Sequence, residues 1–389
     1  MSKIICKNCK SALDNEEEKC PNCGNELPHI YLYKNSDDFL KREIPRVIED
    51  RISAGLDEMV SGLACVIINV EPEKQQGAVN EMLRYTGLDC DTCFENDDSR
   101  TCVLKTKGSA DLLIQSRLTA NNPFSFFNTF PKSKHLVNTR LETFVFNVTD
   151  LKTFVAIQKS RGFNFLTENI NEMENYLFIQ TPPQKATGTS YGFIQWTGEK
   201  GNYLSKKDTV IQMDVQKPDK AYLQNIKALD HTALRVRAKD RDTAIIQFME
   251  LTNYNFEFAI YVNPQNSITN VARLSDATFA MVFTSGVSPY IDDKTSGPTE
   301  KFIHNYGTRV HHIAFHTEHI DETFEALKED KMEFLLELVG SPEEGLKQTF
   351  TIQSPHTLLV NEYIHRFGDF DGFFTKSNVT RLTEATEKQ

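Results

Sequence analysis

The sequence predicts an α+β protein in which one supersecondary unit is repeated behind a small cysteine-rich module. Three observations carry that reading. A β-rich run, a helical stretch of about a dozen residues and two or three further strands recur along the chain. The runs start near residues 65, 142, 231 and 312, a period of about eighty residues that argues for duplication. All eight cysteines lie within the first 102 residues, four of them in two CxxC turns.

A chain of 389 residues can bury a sizeable core and hold two or three domains. No apolar run is long enough to cross a bilayer. The opening Met1-Ser2-Lys3-Ile4-Ile5-Cys6 lacks the core of a signal peptide, so a cytoplasmic location is expected. The net charge of −11 opposes nucleic acid and anionic membrane alike. Neither is expected as a partner; a homo-oligomer stays open.

Residues 1–28 form the first expected element. Cys6-Lys7-Asn8-Cys9 and Cys20-Pro21-Asn22-Cys23-Gly24 are two knuckles. Each sets two thiolates on one tight turn, and together they complete a closed tetrahedral zinc site. So small a module has almost no core, and the metal would supply most of its folding energy. Residues 4–28 resemble a zinc ribbon. A third CxxC, Cys90-Asp91-Thr92-Cys93, lies near Cys102 and Cys65 in sequence. A second thiol site is conceivable there, although Cys65 sits in a strand-like run where a buried structural thiol is the ordinary case.

Residues 29–61 are expected to connect. Leu40, Ile44, Val47, Ile48, Ile52, Leu56 and Met59 fall on one helical face, with Pro45 kinking the helix or setting its first turn. Residues 62–222 then read as an N-terminal domain of two units, with helices near 72–86 and 150–161. Residues 223–389 read as a C-terminal domain of two more, with helices near 240–252 and 320–330. The polar stretches 181–189 and 197–220 read as loops, the second as the boundary between the halves.

Three strand-like stretches in the C-terminal half each carry one metal-grade ligand: His231 in Leu229–Leu234, His312 in Val310–Phe315 and Glu362 in Leu359–Ile364. Two imidazoles and a carboxylate on one side of a metal leave open positions opposite, a set that suits non-haem Fe(II) binding substrate and dioxygen together. Alternation places His231, Ala233 and Arg235 on one strand face and His312, Ala314 and His316 on another. His311 could replace His312 only if the strand slipped by one residue, which would turn its apolar partners around. His304, His316, His319, His356 and His365 read as ordinary polar residues. Arg235 and Arg366 are expected on the surface or in ion pairs; a role on a substrate carboxylate stays open but has no support in the sequence. The N-terminal units offer no comparable set, so that half reads as structural.

Repeated βαβββ units with these strands resemble the vicinal oxygen chelate superfamily, implying two half-barrel domains. From His231 to Glu387 the chain is similar to 4-hydroxyphenylpyruvate dioxygenase and hydroxymandelate synthase. The resemblance rests on Asp230-His231, on TEKFIHNYGTRVHHIAF at Thr299–Phe315, on Gln348-Thr349-Phe350-Thr351, on LVNEYIHRF at Leu359–Phe367 and on the closing segment Asp371–Glu387. It implies that His231, His312 and Glu362 bind Fe(II), that a 2-oxo acid chelates the metal beside O2, and that oxidative decarboxylation follows. Gln348 would hydrogen-bond substrate or water, Phe350 would pack on an aromatic ring, and Phe374 and Asn378 would contact substrate from the closing segment. An arylpyruvate-like acid is the implied substrate. The alternative is a non-oxidative metalloprotein of the same superfamily: an isomerase, a lyase or a degenerate binding protein. The sequence departs from the family at His311, where a glutamine is usual, at Val379, near the place of a ring-clamping phenylalanine, and in a shortened stretch between His312 and Glu362.

Overall fold

A computed structural model describes residues 4–6, 8–13, 19–26, 33–276, 278–370 and 372–389. Residues 1–3, 7, 14–18 and 27–28 of the expected ribbon, 29–32 of the expected connector, and Asp371 at the head of the expected closing segment lie outside the described residues.

The two knuckles fold alike. In the first, the Lys10 N–H donates to the Cys6 carbonyl at 2.8 Å, and in the second the Gly24 N–H donates to the Cys20 carbonyl at 2.8 Å. Lys10 and Gly24 both take left-handed backbone, with φ of 61° and 67°, the conformation that closes a tight turn. The sulfurs of Cys6 and Cys23 stand 3.7 Å apart and those of Cys9 and Cys20 3.5 Å apart.

Helix α1 (Asp38–Ser53) follows the expected apolar spacing and buries Leu40, Val47 and Arg51; Pro45 lies inside it. Four βαβββ units come next. The first opens with β1 (Val60–Asn69) and α2 (Gln75–Tyr85), the second with β2 (Arg140–Val148) and α3 (Leu151–Ser160). The third is β3 (Ile226–Arg235), α4 (Arg241–Leu251), β4 (Asn255–Val262), β5 (Ser267–Arg273) and β6 (Ala280–Ser285). After α5 (Pro298–Tyr306) comes the fourth: β7 (Arg309–Thr317), α6 (Ile320–Glu329), β8 (Val339–Ser341), β9 (Leu346–Phe350) and β10 (Val360–Arg366). Helix α7 (Lys376–Ala385) follows it. Arg51 ties α1 to the third unit: its guanidinium donates to the carbonyls of Met249, Thr252 and Tyr254 at 2.9–3.1 Å. The first two are carbonyls that the end of α4 leaves open, and the third follows in the turn to β4.

Units pair through their first strands. In the nine-stranded sheet β1 runs antiparallel to β2; in the eight-stranded sheet, ordered β4-β5-β6-β3-β7-β10-β9-β8, β3 runs antiparallel to β7. Each first strand also lies parallel to the last strand of its own unit, as β3 does to β6 and β7 to β10. A helix covers that crossover, which buries the outer face and curls each sheet into a half-barrel. A core of Phe144, Phe146, Phe248, Tyr254 and Phe283 joins the two sheets on their helix sides. Within the stretch 197–220, expected as loop, Thr209–Ile211 adds a short edge strand to the first sheet. Its polar flanks mask three residues of alternation. Among the described residues no helix is long and apolar enough to cross a membrane.

Candidate metal centre

The concave face of the second sheet gathers the predicted ligands, and strand register explains how. His231 on β3 lies opposite Ala314 on β7, which in turn lies beside Glu362 on β10. These three form one row across three strands. His312 lies opposite Ala233, in the next row of the same face. Residues directly opposite one another share a face. The two alanines keep that face hollow, so the longer side chains can converge over them.

They converge on one oxygen. His231 Nε2 lies 3.1 Å and His312 Nε2 3.2 Å from Glu362 Oε2. Donors about 2.1 Å from an ion and about 90° apart would stand about 3 Å from each other, so the spacing suits three adjacent corners of a metal's shell. Glu362 Oε1 is buried with no hydrogen-bond partner among the described residues. A carboxylate oxygen stranded in this way is costly unless something polar meets it. A cation among the donors fits these residues.

The outer partners orient the ring nitrogens that face away. His231 Nδ1 is 2.7 Å from Asp230 Oδ1, and Asp230 is held by both terminal nitrogens of Arg366 at 2.6 and 3.1 Å. His312 Nδ1 is 2.8 Å from His311 Nδ1, and His311 Nε2 is 2.7 Å from Gln389 Oε1. Such outer contacts fix the face that a ligating imidazole offers. The electrostatics follow. Burial disfavours the charged form of His231, but Glu362 and Asp230 outweigh it and push its pKa up to about 9. Burial would raise the Asp230 carboxyl, yet its bonds to His231 and Arg366 hold it well below the usual carboxylate range. Burial raises Glu362. Burial and the neighbouring His311 keep His312 neutral, the form that ligates.

A cavity opens over His312 and Glu362. Its wall includes Arg235, Thr284, Phe350, Phe374, Val379 and Leu382. The Phe350 ring lies 4.7 Å from that of His312, and Phe374 meets His231 edge-on at 5.2 Å. Gln348 shares the concave face with Phe350 but is not on the cavity wall; both its amide atoms are buried without a partner among the described residues. Asn378 Nδ2 donates to the Val339 carbonyl at 3.4 Å, while its neighbour Val379 reaches the cavity. The places of three residues at the centre were not foreseen from sequence. Asp230 carried a signal in its adjacency to His231. Phe373, whose ring meets His231 at 5.5 Å, carried one in the Phe373-Phe374 pair. The buried state of Arg235 carried none.

Register also explains why the first sheet holds no such centre. Cys65 occupies the place of His231, Thr143 that of His312 and Gly192 that of Glu362. Cys65 packs with Tyr203 on the concave face, whereas Cys93 and Cys102 belong to the core on the other side. The sulfurs of Cys90 and Cys93 lie 3.7 Å apart. Among the described residues two groups gather metal-grade donors within 4.8 Å of one another: the triad, and Cys6, Cys9, Cys20 and Cys23. Of the remaining histidines, His304 stacks on Tyr290 and His316 on His365.

Paired βαβββ half-barrels of this kind make the vicinal oxygen chelate fold. Residues 230–350 match the family described as the glyoxalase/bleomycin resistance protein/dioxygenase superfamily. Among solved structures, the chain is similar to a mutant of 4-hydroxymandelate synthase from Streptomyces coelicolor, with a TM-score of 0.64 at 15% identity over 85% of this chain and 98% of that one. It is similar also to a fusion of a xylose isomerase-like TIM barrel with 4-hydroxyphenylpyruvate dioxygenase, with a TM-score of 0.57 at 14% identity over 85% of this chain and 52% of that one. At such identities these likenesses speak to the fold. No curated protein matches by sequence.

Proposed function

We propose that this protein is a non-haem Fe(II)-dependent dioxygenase that oxidatively decarboxylates a 2-oxo acid with O2. The observation that carries the proposal is the meeting of His231 Nε2 and His312 Nε2 on one oxygen of Glu362, beside that carboxylate's unpartnered Oε1. Iron bound there would supply open positions for a chelating 2-oxo acid and for O2. In the reaction the C1–C2 bond breaks and CO2 leaves. C2 becomes a carboxyl group carrying one oxygen atom, and the other atom enters a C–H bond. The 2-oxo acid and the C–H bond each give two electrons, and O2 accepts four.

The chain's own residues hold and shield this chemistry. Asp230 and Arg366 keep the His231 ring turned so that Nε2 faces inward. Phe350, Phe374 and Leu382 line the cavity with apolar surface that excludes water. Gln348 is proposed to hydrogen-bond substrate or a bound water, with Phe350, Phe374 and Asn378 as substrate contacts. We assign zinc to Cys6, Cys9, Cys20 and Cys23 in a ribbon over residues 1–28, a connector over 29–61, a structural domain over 62–222 and the catalytic domain over 223–389.

The test is anaerobic reconstitution with Fe(II), then oxygen uptake and CO2 release with a panel of 2-oxo acids. Wild type should consume O2 and release CO2 in equal amounts. Glu362→Ala should lose iron and turnover while keeping the ribbon zinc. Iron retained by that variant would refute the ligand assignment. An iron-loaded wild type silent across the panel would favour the non-oxidative alternative.

A further inference from the structure

Among the described residues, the cavity beside the triad contains a cation, Arg235, with no counter-ion. Arg235 is 4% exposed. It lies four residues beyond His231 on β3, on the same face, and lines the same cavity as His312 and Glu362. Among the described residues its hydrogen bonding amounts to one long contact, 3.5 Å to the Pro298 carbonyl. Its guanidinium also sits over the Phe302 ring at 4.5 Å. Burial pushes its pKa down to about 9 with no acid working against the shift, so it stays charged at neutral pH.

Three other arginines of this protein are provided for, whereas the fully buried Arg140 and Arg309 also lack an acid and hold carbonyls across the two halves. Arg241 pairs with Asp37 and Asp242. Arg51 has three carbonyls and the Asn255 amide oxygen. Arg366 holds Asp230 with two bonds. A guanidinium is a rigid fork built for a carboxylate, and one stranded at a cavity wall without an acid is costly. The wall around Arg235 is also polar: Ser267, Thr269, Thr284 and Thr299 contribute hydroxyls, with Ser267 and Thr299 3.2 Å apart. Ser267 and Thr299 satisfy each other, and Thr284 donates to the Leu234 carbonyl at 3.5 Å, so the guanidinium is the group that an aromatic tail would leave unpaired.

We propose that Arg235 binds a second carboxylate at the far end of the substrate, so that the enzyme acts on a dicarboxylic 2-oxo acid rather than on an arylpyruvate. This rests on the dioxygenase reading for the end that chelates the metal. The triad holds the 2-oxo carboxylate, Arg235 closes on the distal one, and the hydroxyls solvate the chain between. Specificity then comes from loss as much as gain: a neutral tail buries the guanidinium unpaired.

The test measures binding without turnover. Anaerobic, Fe(II)-loaded protein is titrated by calorimetry with 2-oxoglutarate, 2-oxoadipate, 2-oxohexanoate and phenylpyruvate. At least one diacid should bind about tenfold to a hundredfold more tightly than either monoacid, the range for a charge-assisted hydrogen-bonded pair. Arg235→Gln should abolish that preference and leave the iron content and the weak monoacid binding unchanged. If wild type binds monoacids as tightly as diacids, or the variant weakens both alike, the proposal fails while the dioxygenase reading stands. If no 2-oxo acid binds to iron-loaded wild type, the dioxygenase reading fails and this proposal with it. The ranking in wild type decides the matter even if the variant does not fold.

Discussion

Any divalent ion entering the centre has to displace a proton from His231. In the metal-free protein that ring has its pKa near 9, because Glu362 and Asp230 outweigh its burial. Below that pH the proton competes with the metal, and above it the site is open. Affinity for a divalent ion should therefore rise about tenfold per pH unit up to about pH 9 and then level off, with about one proton released per ion at neutral pH. Calorimetry of Mn(II) binding in buffers of different ionisation enthalpy counts that proton; none released would contradict the His231–Glu362 geometry. Asp230 has two opposing roles, since it stabilises the proton and also orients the ring. Losing an outer partner of a metal-bound histidine usually costs 10- to 100-fold in affinity, so orientation should dominate. Asp230→Asn should weaken the metal by that factor and move the levelling point below 9.

At the scale of elements, α7 is the piece that closes the site. It starts with a cap: the Asn378 N–H donates to Thr375 Oγ1 at 3.3 Å. Its buried face carries Val379 and Leu382 onto the cavity wall. Thr375→Ala should cost about 1 kcal/mol, the usual value of a helix cap. That corresponds to about a fivefold loss in ligand affinity if closure and binding are coupled. Thermal melting should move little, because the sheet core is untouched. Ligand affinity unchanged beside a lowered melting temperature would show that the helix is structural only. The sequence revealed the elements around this site unevenly. Strand alternation identified the faces of His231 and His312, and cysteine spacing picked out the four thiols that the two knuckles gather. The heads of all four first strands were missed: the expected starts near 65, 142, 231 and 312 fall inside strands that begin at Val60, Arg140, Ile226 and Arg309, and in two of them the head is a buried arginine. A buried arginine breaks the apolar pattern by which a strand is recognised. Arg235 was misplaced for the same reason, being expected on the surface or in an ion pair. Arg366 is in the ion pair expected of it, but only the fold brings Asp230 to it. The Ala233 and Ala314 hollow depends on register, and a sequence does not print register.

At the scale of the molecule, the duplication explains how the half without a metal centre supports the half with one. The register that relates His231 to Cys65 also relates Arg309 to Arg140, opposite Arg235 and Asn69 respectively. The two arginines cross between the halves. Arg140 donates to the Thr308 carbonyl at 2.9 Å and Arg309 to the Thr139 carbonyl at 2.6 Å, so each binds the residue preceding the other. Both are fully buried. Burial, reinforced by the charge of Arg309, holds Arg140 well below the ordinary arginine range, and burial pushes Arg309 down to about 10. Two like charges thus face each other, each held by a carbonyl of the opposite half. Replacing one with methionine loses a hydrogen bond and strands a carbonyl, but lifts the repulsion from the survivor. Replacing the second loses the other bond with no repulsion left to lift. Arg140→Met with Arg309→Met should therefore be less stable than the sum of the single effects, by a coupling of about 0.5–3 kcal/mol. Urea denaturation of the four proteins measures it, and simple additivity would mean that the two charges do not sense each other. Because Arg309 lies three residues from His312 on β7, a shift of that strand should also register as weaker metal binding. Metal affinity lowered by Arg140→Met, a change made in the half without ligands, would show that the two halves act as one frame for the centre.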